Sequence, residues 1–376
     1  MFIVLFQKNF LNKIMVKKIN KIGIFTSGGD CAGLNAIINA VVRSATRQGV
    51  EVYGIHNGTE GLYYPNLDYT KLSEDDFRVQ YSAMRTGGTM LGSVNRDKKL
   101  EPEALKEAFT KGVKALGLDS LIVVGGDGSA MIVAGLVEGT DINVITIPKT
   151  IDNDTPVTDY SIGFDTARNV CMEALDKLQT TAFSHHRIMI VEVMGRDAGH
   201  LALNTAIAGG ADFCLIPEMK YSYADIKARL EEMRKQGVEY TLMVVSEGCK
   251  TEDGSTVTVN KGAVECYTGF GNYLSKKLDA DGFLNRTTVL GHLQRGGMPT
   301  AYDRITASMF GTHAVDLLLN GKTNRLVMLK DGKVSDIDLF EAVKFGNRPV
   351  EKDSELLDTA KKLGIYVGTE YIGDQK

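Results

Sequence analysis

The chain has 376 residues, enough for two domains that each bury a core. Its 43% hydrophobic and 24% charged residues are typical of a globular protein, and no apolar run is long enough to span a membrane. The net charge of −4 excludes a general basic surface for nucleic acid or for an anionic membrane. The five cysteines are scattered without a C-x-x-C motif, which predicts reduced thiols and a cytoplasmic location.

Residues 1–19 are predicted to form an N-terminal extension that is disordered or not translated. The chain begins with the apolar stretch MFIVLF, which lacks the basic lead and the cleavage site of a signal peptide. A second methionine, Met15, stands just before Val16-Lys17-Lys18 and is an alternative start.

The first predicted strand, Lys21–Thr26, ends in Ser27-Gly28-Gly29-Asp30. The apolar spacing from Leu34 to Arg47 then predicts an amphipathic helix. A strand, a glycine-rich turn and a helix start direct backbone N–H groups and the helix dipole at an anion. A plain tight turn is the alternative, and a lone Gly-Gly pair would favour it.

A second unit of the same kind follows. Beyond a strand at Glu51–His56, a loop-rich stretch and a helix from Glu101, the buried strand Leu121–Val124 ends in Gly125-Gly126-Asp127-Gly128-Ser129. Two such units beside one crevice favour a phosphate site, and Asp127 is placed for Mg²⁺. The stretch is neither a Walker A loop nor a G-x-G-x-x-G motif.

An acidic turn, Pro148–Asp154, follows the predicted strand Asn143–Ile147. Asp152 and Asp154 stand there beside a hydroxyl, Thr150, and a cation, Lys149. Catalytic groups in open α/β sheets lie just past the carboxyl ends of strands. A solvated acidic turn is the alternative, because Asx residues favour turns.

The second half of the chain carries five cations at or near predicted strand ends. They are Arg187, Arg196, Arg286, His292 and Arg295. A single exposed arginine usually only solubilises, but five in a net acidic protein predict a site for a phosphorylated small molecule. Three other histidines could suggest a metal site, but no set of spaced His and Cys partners accompanies them, so they are interpreted as non-ligands: His185, His186 and His200.

Strands and helices alternate throughout, which predicts an α/β fold with mainly parallel sheets. We expect two interleaved α/β/α domains with the active site in the cleft between them. A polyphosphate site, a phosphorylated acceptor site and a carboxylate between them are the arrangement of phosphoryl transfer. The residues alone do not name the substrates.

Several motifs stand in a fixed order: Thr26-Ser27-Gly28-Gly29-Asp30, Gly125-Gly126-Asp127-Gly128-Ser129, Thr150-Ile151-Asp152-Asn153-Asp154, Met194-Gly195-Arg196, Ser246-Glu247-Gly248 and Leu290-Gly291-His292-Leu293-Gln294-Arg295-Gly296-Gly297. In this order they resemble the 6-phosphofructokinase family, from about Lys21 to Asn347. The glycine-rich loops alone would be weak evidence, whereas the ordered set is highly specific.

The resemblance implies transfer of the γ-phosphate of ATP to the 1-hydroxyl of fructose 6-phosphate, a glycolytic step, with Mg²⁺ as cofactor. Asp152 would be the general base, Thr150 and Arg196 would support the transferring phosphoryl group, and Asp127 and Asp154 would hold the metal. The donor site would comprise Gly28, Gly125, Gly126, Asp127, Gly128, Ser129 and Arg96. The sugar-phosphate site would comprise Thr150, Asp152, Arg187, Met194, Gly195, Arg196, Glu247, Arg286, His292 and Arg295.

The resemblance also implies a domain division and an assembly. Residues 20–163 and 294–344 would form the donor domain, and residues 164–293 and 345–376 the sugar-phosphate domain. In the family, the residues matching Arg187 and Arg286 reach in from a neighbouring subunit. A homo-oligomer, usually a tetramer, with shared active sites is therefore expected.

Two positions give conflicting signals about the phosphoryl donor. Gly128 matches ATP-using members, because a side chain there would crowd the nucleotide's α-phosphate. Lys149 matches the pyrophosphate-using branch, although some ATP-using members combine both residues. A steric clash at position 128 would exclude ATP more strongly than the additional cation at position 149 favours pyrophosphate. With glycine at position 128, ATP is therefore the predicted donor and pyrophosphate the alternative. The loop arginine that usually contacts the transferred phosphate is replaced by Asn95, and Arg96 is the candidate substitute.

Two further alternatives remain. A lipid or NAD kinase would share the Gly-Gly-Asp-Gly loop, but those families do not require the Gly-His-Leu-Gln-Arg-Gly-Gly stretch. A catalytically inactive sugar-phosphate sensor would be expected to have lost Asp152, Asp127 or Arg196, and all three are present.

Overall fold

The computed structural model describes residues 18–75, 84–94, 101–261 and 264–373. Apart from Lys18 and Ile19, the predicted extension lies outside these residues, as do Asn95 and Arg96. The described strands are β1 (Lys21–Ser27), β2 (Glu51–Ile55), β3 (Tyr69–Leu72), β4 (Ser93–Val94), β5 (Ser120–Gly125), β6 (Asn143–Pro148), β7 (Ile188–Val193), β8 (Phe213–Leu215), β9 (Met219–Lys220), β10 (Thr241–Ser246), β11 (Thr258–Lys261), β12 (Val264–Tyr267), β13 (Asn285–Val289), β14 (Arg325–Lys330), β15 (Lys333–Asp338) and β16 (Glu370–Tyr371).

The described α-helices are α1 (Leu34–Thr46), α2 (Pro102–Leu116), α3 (Asp127–Val137), α4 (Phe164–His185), α5 (His200–Ala208), α6 (Tyr223–Lys235), α7 (Phe270–Ala280), α8 (Ala301–Leu319), α9 (Leu339–Ala342) and α10 (Glu355–Lys362). Short 3₁₀ helices lie at Gly58–Leu62 and Gly291–Arg295. Among the described helices, none is both long enough and apolar enough to cross a membrane.

The larger sheet has the strand order β15-β14-β6-β5-β1-β2-β3, with β4 also paired to β1. Its pairs are parallel except at the two ends, where β3 and β15 run antiparallel to their neighbours. The smaller sheet, β13-β7-β10-β8, is parallel throughout. Every residue of β5, β7 and β10 is buried, as expected for apolar strands covered on both faces. The predicted α/β class with mainly parallel sheets is confirmed.

The chain interleaves the two sheets. It passes from the larger to the smaller sheet through α4 and returns when β14 pairs with β6. It ends beside the smaller sheet, where β16 pairs with β9. The domain boundaries expected near residues 163, 293 and 344 stay predictions.

One apolar cluster extends across both sheets and includes Ile24 and Val124 of the larger sheet and Val191 and Val244 of the smaller. Within the larger half, α8 packs directly on α1. A Cβ added at Gly311 would lie 2.8 Å from the Cβ of Ala40, so the glycine permits this close approach of the two helices. This packing fixes the returning segment 301–319 against the first helix of the chain.

Several elements have no counterpart in the sequence-based prediction. They include β3, the hairpins β11–β12 and β14–β15, and helix α7. Helix α7 carries a detectable signal, because Phe270, Leu274 and Leu278 recur at helical spacing and are all buried.

Candidate active site

A cavity of about 760 Å³ lies at the carboxyl ends of β1, β5 and β6. Three segments from the larger sheet line it: 27–30 after β1, 126–129 after β5 and 149–152 after β6. Arg196 and Arg295, from the other half of the chain, complete the wall. The cavity therefore occupies the position expected for a ligand site in an open parallel sheet.

The glycine-rich turn after β1 packs tightly against cationic side chains. Gly28 has φ +82°, a left-handed conformation that favours glycine. A Cβ on Gly29 would lie 2.4 Å from Nη1 of Arg295, so a side chain there would displace the guanidinium. Glycine at these two positions brings the backbone close to Arg295 and Lys149.

The second glycine-rich turn forms the start of α3. Asp127, Gly128 and Ser129 occupy its first turn and line the cavity. The N–H groups of a first helical turn lack partners within the helix and carry partial positive charge, which favours an anion. A Cβ added at Gly128 would meet no atom within 4 Å, so the residue faces open space.

Lys149 lies at the base of the cavity and is only 4% exposed. Its Nζ donates a hydrogen bond to the carbonyl oxygen of Gly29 at 2.6 Å. Burial lowers the pKa of its ammonium group. The structure thus places this cation between the two glycine-rich turns.

Two carboxyl groups of the acidic turn face the same cavity. Asp152 is 8% exposed, and burial raises its pKa while the charges of Arg196 and Arg295 oppose the shift. Burial, followed by the charges of Asp152 and Asp127, raises the pKa of Asp154 to about 7. The backbone N–H of Asp152 donates to Oγ1 of Thr150 at 3.1 Å, which orders the turn.

The turn after β7 faces the acidic turn from the smaller sheet. Gly195 and Arg196 both have positive φ, +139° and +50°, so the chain bends sharply there. Oε1 of Glu247 accepts a hydrogen bond from the backbone N–H of Arg196 at 3.2 Å. Burial is the main reason that the pKa of Glu247 is raised to about 7, and the charge of Asp152 adds to it.

The 3₁₀ helix 291–295 packs against this turn. Its buried Gln294 accepts a hydrogen bond from the backbone N–H of Met194 at 3.1 Å. Arg295 reaches the cavity, whereas His292 is exposed and does not line it. Six residues predicted for the sugar-phosphate site therefore belong to segments that meet at one edge of the cleft: Met194, Gly195, Arg196, Glu247, His292 and Arg295.

Arg187 and Arg286 lie elsewhere. Arg187 immediately precedes β7, and Arg286 pairs in register with Met189 near the start of the same strand. The strand's six residues, at roughly 3.3 Å each, separate this edge from the cleft by about 20 Å. Within one chain, the five cations predicted to form one site therefore do not share one cavity.

An apolar wall of the cavity is absent from the sequence-based prediction. Met131 and Ile132 of α3 are 57% and 52% exposed and line the cavity together with Leu105 of α2. The sequence does carry a signal for this wall. Helix α3, DGSAMIVAGLV, is apolar on almost every face, so part of its apolar surface is left without a core to pack against.

One histidine behind the acidic turn should make the protein sensitive to acid. Nε2 of His200 lies 3.0 Å from the carbonyl oxygen of Arg348, and burial, with the Arg348 charge, lowers the His200 pKa to about 4. The stabilisation by the neutral ring is therefore complete above pH 6.5 and is lost as the pH falls towards 4. When the pH is lowered from 7 to 5, the free energy of unfolding should fall by about 1–2 kcal/mol less in His200→Gln than in the wild type. Denaturant unfolding at both pH values measures this, and equal losses would contradict it.

Comparison with known proteins identifies relatives along most of the chain. The sequence profile described as phosphofructokinase matches residues 21–318. ATP-dependent 6-phosphofructokinase 1 of Nostoc sp. is 43% identical over 94% of this chain and 100% of its own length. ATP-dependent 6-phosphofructokinase 2 of Clostridium perfringens is 41% identical over 93% of this chain and 99% of its own.

Solved structures agree at the level of the fold. A phosphofructokinase from Saccharomyces cerevisiae matches with a TM-score of 0.75 and 29% identity, over 92% of this chain and 47% of the yeast chain. A pyrophosphate-dependent phosphofructokinase from Marinobacter aquaeolei has a TM-score of 0.75 at 23% identity, over 94% and 93% of the two chains. The fold is thus shared by proteins whose names indicate different phosphoryl donors.

Proposed function

Since this chain belongs to the phosphofructokinase family, we propose that its cleft transfers the γ-phosphoryl group of ATP to the 1-hydroxyl of fructose 6-phosphate, giving fructose 1,6-bisphosphate. The observation that carries the proposal is the position of Asp152. Its buried carboxyl lines the same cavity as the glycine-rich turns and feels the charges of Arg196 and Arg295. A base that shares a cavity with anion-binding turns and two guanidinium groups suits transfer from a polyphosphate to a hydroxyl.

The larger half of the cleft provides the donor site in this proposal. Gly28, Gly125 and Gly126 let the backbone approach the phosphates, and the first turn of α3 directs its N–H groups at them. The apolar wall of Leu105, Met131 and Ile132 fits a nucleotide base. Pyrophosphate has no group that would use this wall, which supports ATP as the donor.

The carboxyl groups also fit the Mg²⁺ that the family implies. Burial raises the pKa of Asp154, and the negative charges of Asp152 and Asp127 raise it further. A divalent cation would relieve this repulsion, and Mg²⁺ is commonly held by one or two carboxylates together with substrate phosphates. Asp127 and Asp154 would hold it, where it would neutralise charge on the transferring phosphates.

Asp152 would remove the proton from the 1-hydroxyl as the oxygen attacks phosphorus. Burial raises its pKa and so makes the carboxylate a stronger base than an exposed aspartate. The Arg196 guanidinium would stabilise the charge that develops on the phosphoryl oxygens, and the Thr150 hydroxyl would help to orient the group. The new bond from the sugar oxygen to the γ-phosphorus replaces the bond from that phosphorus to the β,γ-bridging oxygen, so that ADP leaves, and the hydroxyl proton passes to an Oδ of Asp152.

The smaller half would bind the sugar phosphate. Met194, Gly195 and Glu247 would contact the sugar, with His292 and Arg295 beside them. Arg187 and Arg286 would complete the phosphate site from a neighbouring subunit, because along β7 they lie about 20 Å and about 15 Å from the cleft of their own chain. We therefore propose a homo-oligomer, a tetramer, whose active sites are shared between subunits, and a cytoplasmic location for it.

A shared site predicts complementation between two inactive variants. Asp152→Asn removes the base from one chain, and Arg286→Ala removes a cation from the other. In a hybrid assembly, some sites combine the intact Asp152 of one chain with the intact Arg286 of another. Random mixing should restore about a quarter of wild-type activity at subsaturating fructose 6-phosphate. Coexpressed variants should show this, and separately expressed variants combined without subunit exchange are the control. Coexpressed hybrids no more active than that control would contradict the shared site.

The proposed function is tested by supplying the purified protein with fructose 6-phosphate, Mg²⁺ and either ATP or pyrophosphate. Coupling to aldolase detects fructose 1,6-bisphosphate, and fructose 6-phosphate without a phosphoryl donor is the negative control. Product with pyrophosphate alone would favour the pyrophosphate-dependent alternative. Binding of fructose 6-phosphate without product from either donor would favour the inactive regulatory protein.

A further inference from the structure

We propose that Arg348 is a positioning residue that holds the Asp152 turn in its catalytic conformation. The inference rests on the proposed function, because it assigns Arg348 a role in that reaction. Arg348 lies in the segment that follows α9, almost two hundred residues along the chain from Asp152. No motif in the sequence analysis includes it.

The first observation is a set of hydrogen bonds from one residue to the backbone of the acidic turn. The backbone N–H of Arg348 donates to the carbonyl oxygen of Asp154 at 2.7 Å. Its Nη2 donates to the carbonyl oxygen of Asn153 at 2.8 Å, and its Nη1 to that of Thr158 at 2.8 Å. Arg348 thus holds the two residues that directly follow Asp152.

The second observation is that this backbone is constrained and depends on Arg348. Asn153 has φ +53°, a left-handed conformation that is uncommon for non-glycine residues and that asparagine adopts more readily than most. Within the described parts of the chain, only Arg348 donates to the carbonyl oxygens of Asn153 and Thr158. The planar guanidinium suits this task, because its fixed fork reaches two carbonyls at once.

The third observation is that Arg348 is anchored to the smaller-sheet half. Its own carbonyl contacts Nε2 of His200 at the start of α5. The backbone N–H of the next buried residue, Val350, donates to Oε1 of Glu218 at 2.7 Å. Arg348 therefore connects the half that would bind the sugar phosphate to the turn that carries the base.

Loss of this support should affect chemistry more than binding. A displacement of about 1 Å in a catalytic group can cost roughly 100-fold in rate. In Arg348→Ala the carbonyls of Asn153 and Thr158 lose their donor, while the walls of the donor site are unchanged. We expect kcat to fall about 100-fold. The KM for ATP should stay within about threefold, because the variant keeps both the glycine-rich turns and the backbone N–H of residue 348 that holds Asp154.

Two further variants separate positioning from a general loss of structure. Arg348→Lys keeps the charge but loses the fork, and its kcat should lie between those of the wild type and Arg348→Ala. Arg348 also lines a second cavity, of about 600 Å³. Lys330→Ala is the matched control, because Lys330 lines this cavity too but pairs with the Asp159 carboxylate at 2.9 Å. Its kcat should equal that of the wild type.

Chemical rescue supplies the decisive readout. Arg348 lines that second cavity, so a guanidinium ion can enter the space that truncation to alanine leaves. Millimolar guanidinium should raise kcat of Arg348→Ala at least about fivefold and leave Lys330→Ala unchanged. Wild-type kcat in Arg348→Ala, or a low kcat that guanidinium does not raise, would overturn the proposal. A wild type that makes no fructose 1,6-bisphosphate would instead refute the proposed function.

Discussion

Asp152→Asn is expected to lower kcat by about 1,000-fold, because a positioned general base contributes roughly 10²–10⁴ to a rate. Asparagine keeps the shape of the side chain but cannot accept the proton from the 1-hydroxyl. The KM values for ATP and for fructose 6-phosphate should change by less than about threefold, since the groups proposed to bind them remain. Steady-state kinetics, with each substrate varied in turn, measures kcat and the two KM values separately.

The control for this change is Asp159→Asn. Asp159 lies in the same loop, but its carboxylate pairs with Lys330 and accepts the backbone N–H of Asp331, away from the cleft. Its kcat should stay within about twofold of the wild type. If Asp152→Asn loses no more activity than Asp159→Asn, Asp152 is not the base. If only its KM for the sugar rises, the residue binds substrate without taking the proton.

Gly128→Asp is expected to lower kcat/KM for ATP by about 100-fold or more. The new carboxylate would extend into open space at the first turn of α3, where the donor's phosphates are proposed to lie. Two like charges about 5 Å apart repel by roughly 3 kcal/mol at an effective dielectric constant of about 20. The rate with ATP at subsaturating concentration measures the loss.

The smaller substitution Gly128→Ala separates charge from bulk. The position has ordinary negative φ and no neighbour within 4 Å of a new Cβ, so neither variant should unfold the protein. Alanine should cost much less than aspartate, and the melting temperatures of both should match the wild type. A Gly128→Asp variant that uses ATP at the wild-type rate would contradict the steric and electrostatic role of Gly128.

The parts of the fold that sequence reasoning predicted well are set by local patterns. The turns after β1 and β5 combine a buried strand, glycines and a helix start within a few residues. Apart from α7, whose helical spacing was overlooked, the missed parts include strands that depend on distant partners. Strand β14 pairs with β6 across about 180 residues of chain, and β15 is placed only through β14.

The candidate site divides in the same way. Arg187 stands just before the apolar run that forms β7, and parallel strands gather their amino ends at the edge opposite the cleft, so its separation from Arg196 could have been predicted. Arg348 could not, because it binds backbone carbonyls and these leave no side-chain pattern in the sequence. The exposed apolar face of α3 is visible in the sequence, but only the fold shows that it borders the cleft.

The central claim is that the cleft admits ATP because Gly128 leaves room for it, although Lys149 matches the pyrophosphate-using branch. The direct test is kcat/KM of the wild type for MgATP and for pyrophosphate, measured at the same saturating fructose 6-phosphate concentration. We expect the value for ATP to exceed that for pyrophosphate by about 100-fold or more, equivalent to roughly 3 kcal/mol. A higher value for pyrophosphate would contradict ATP as the donor and would show that the open space at Gly128 does not decide the choice.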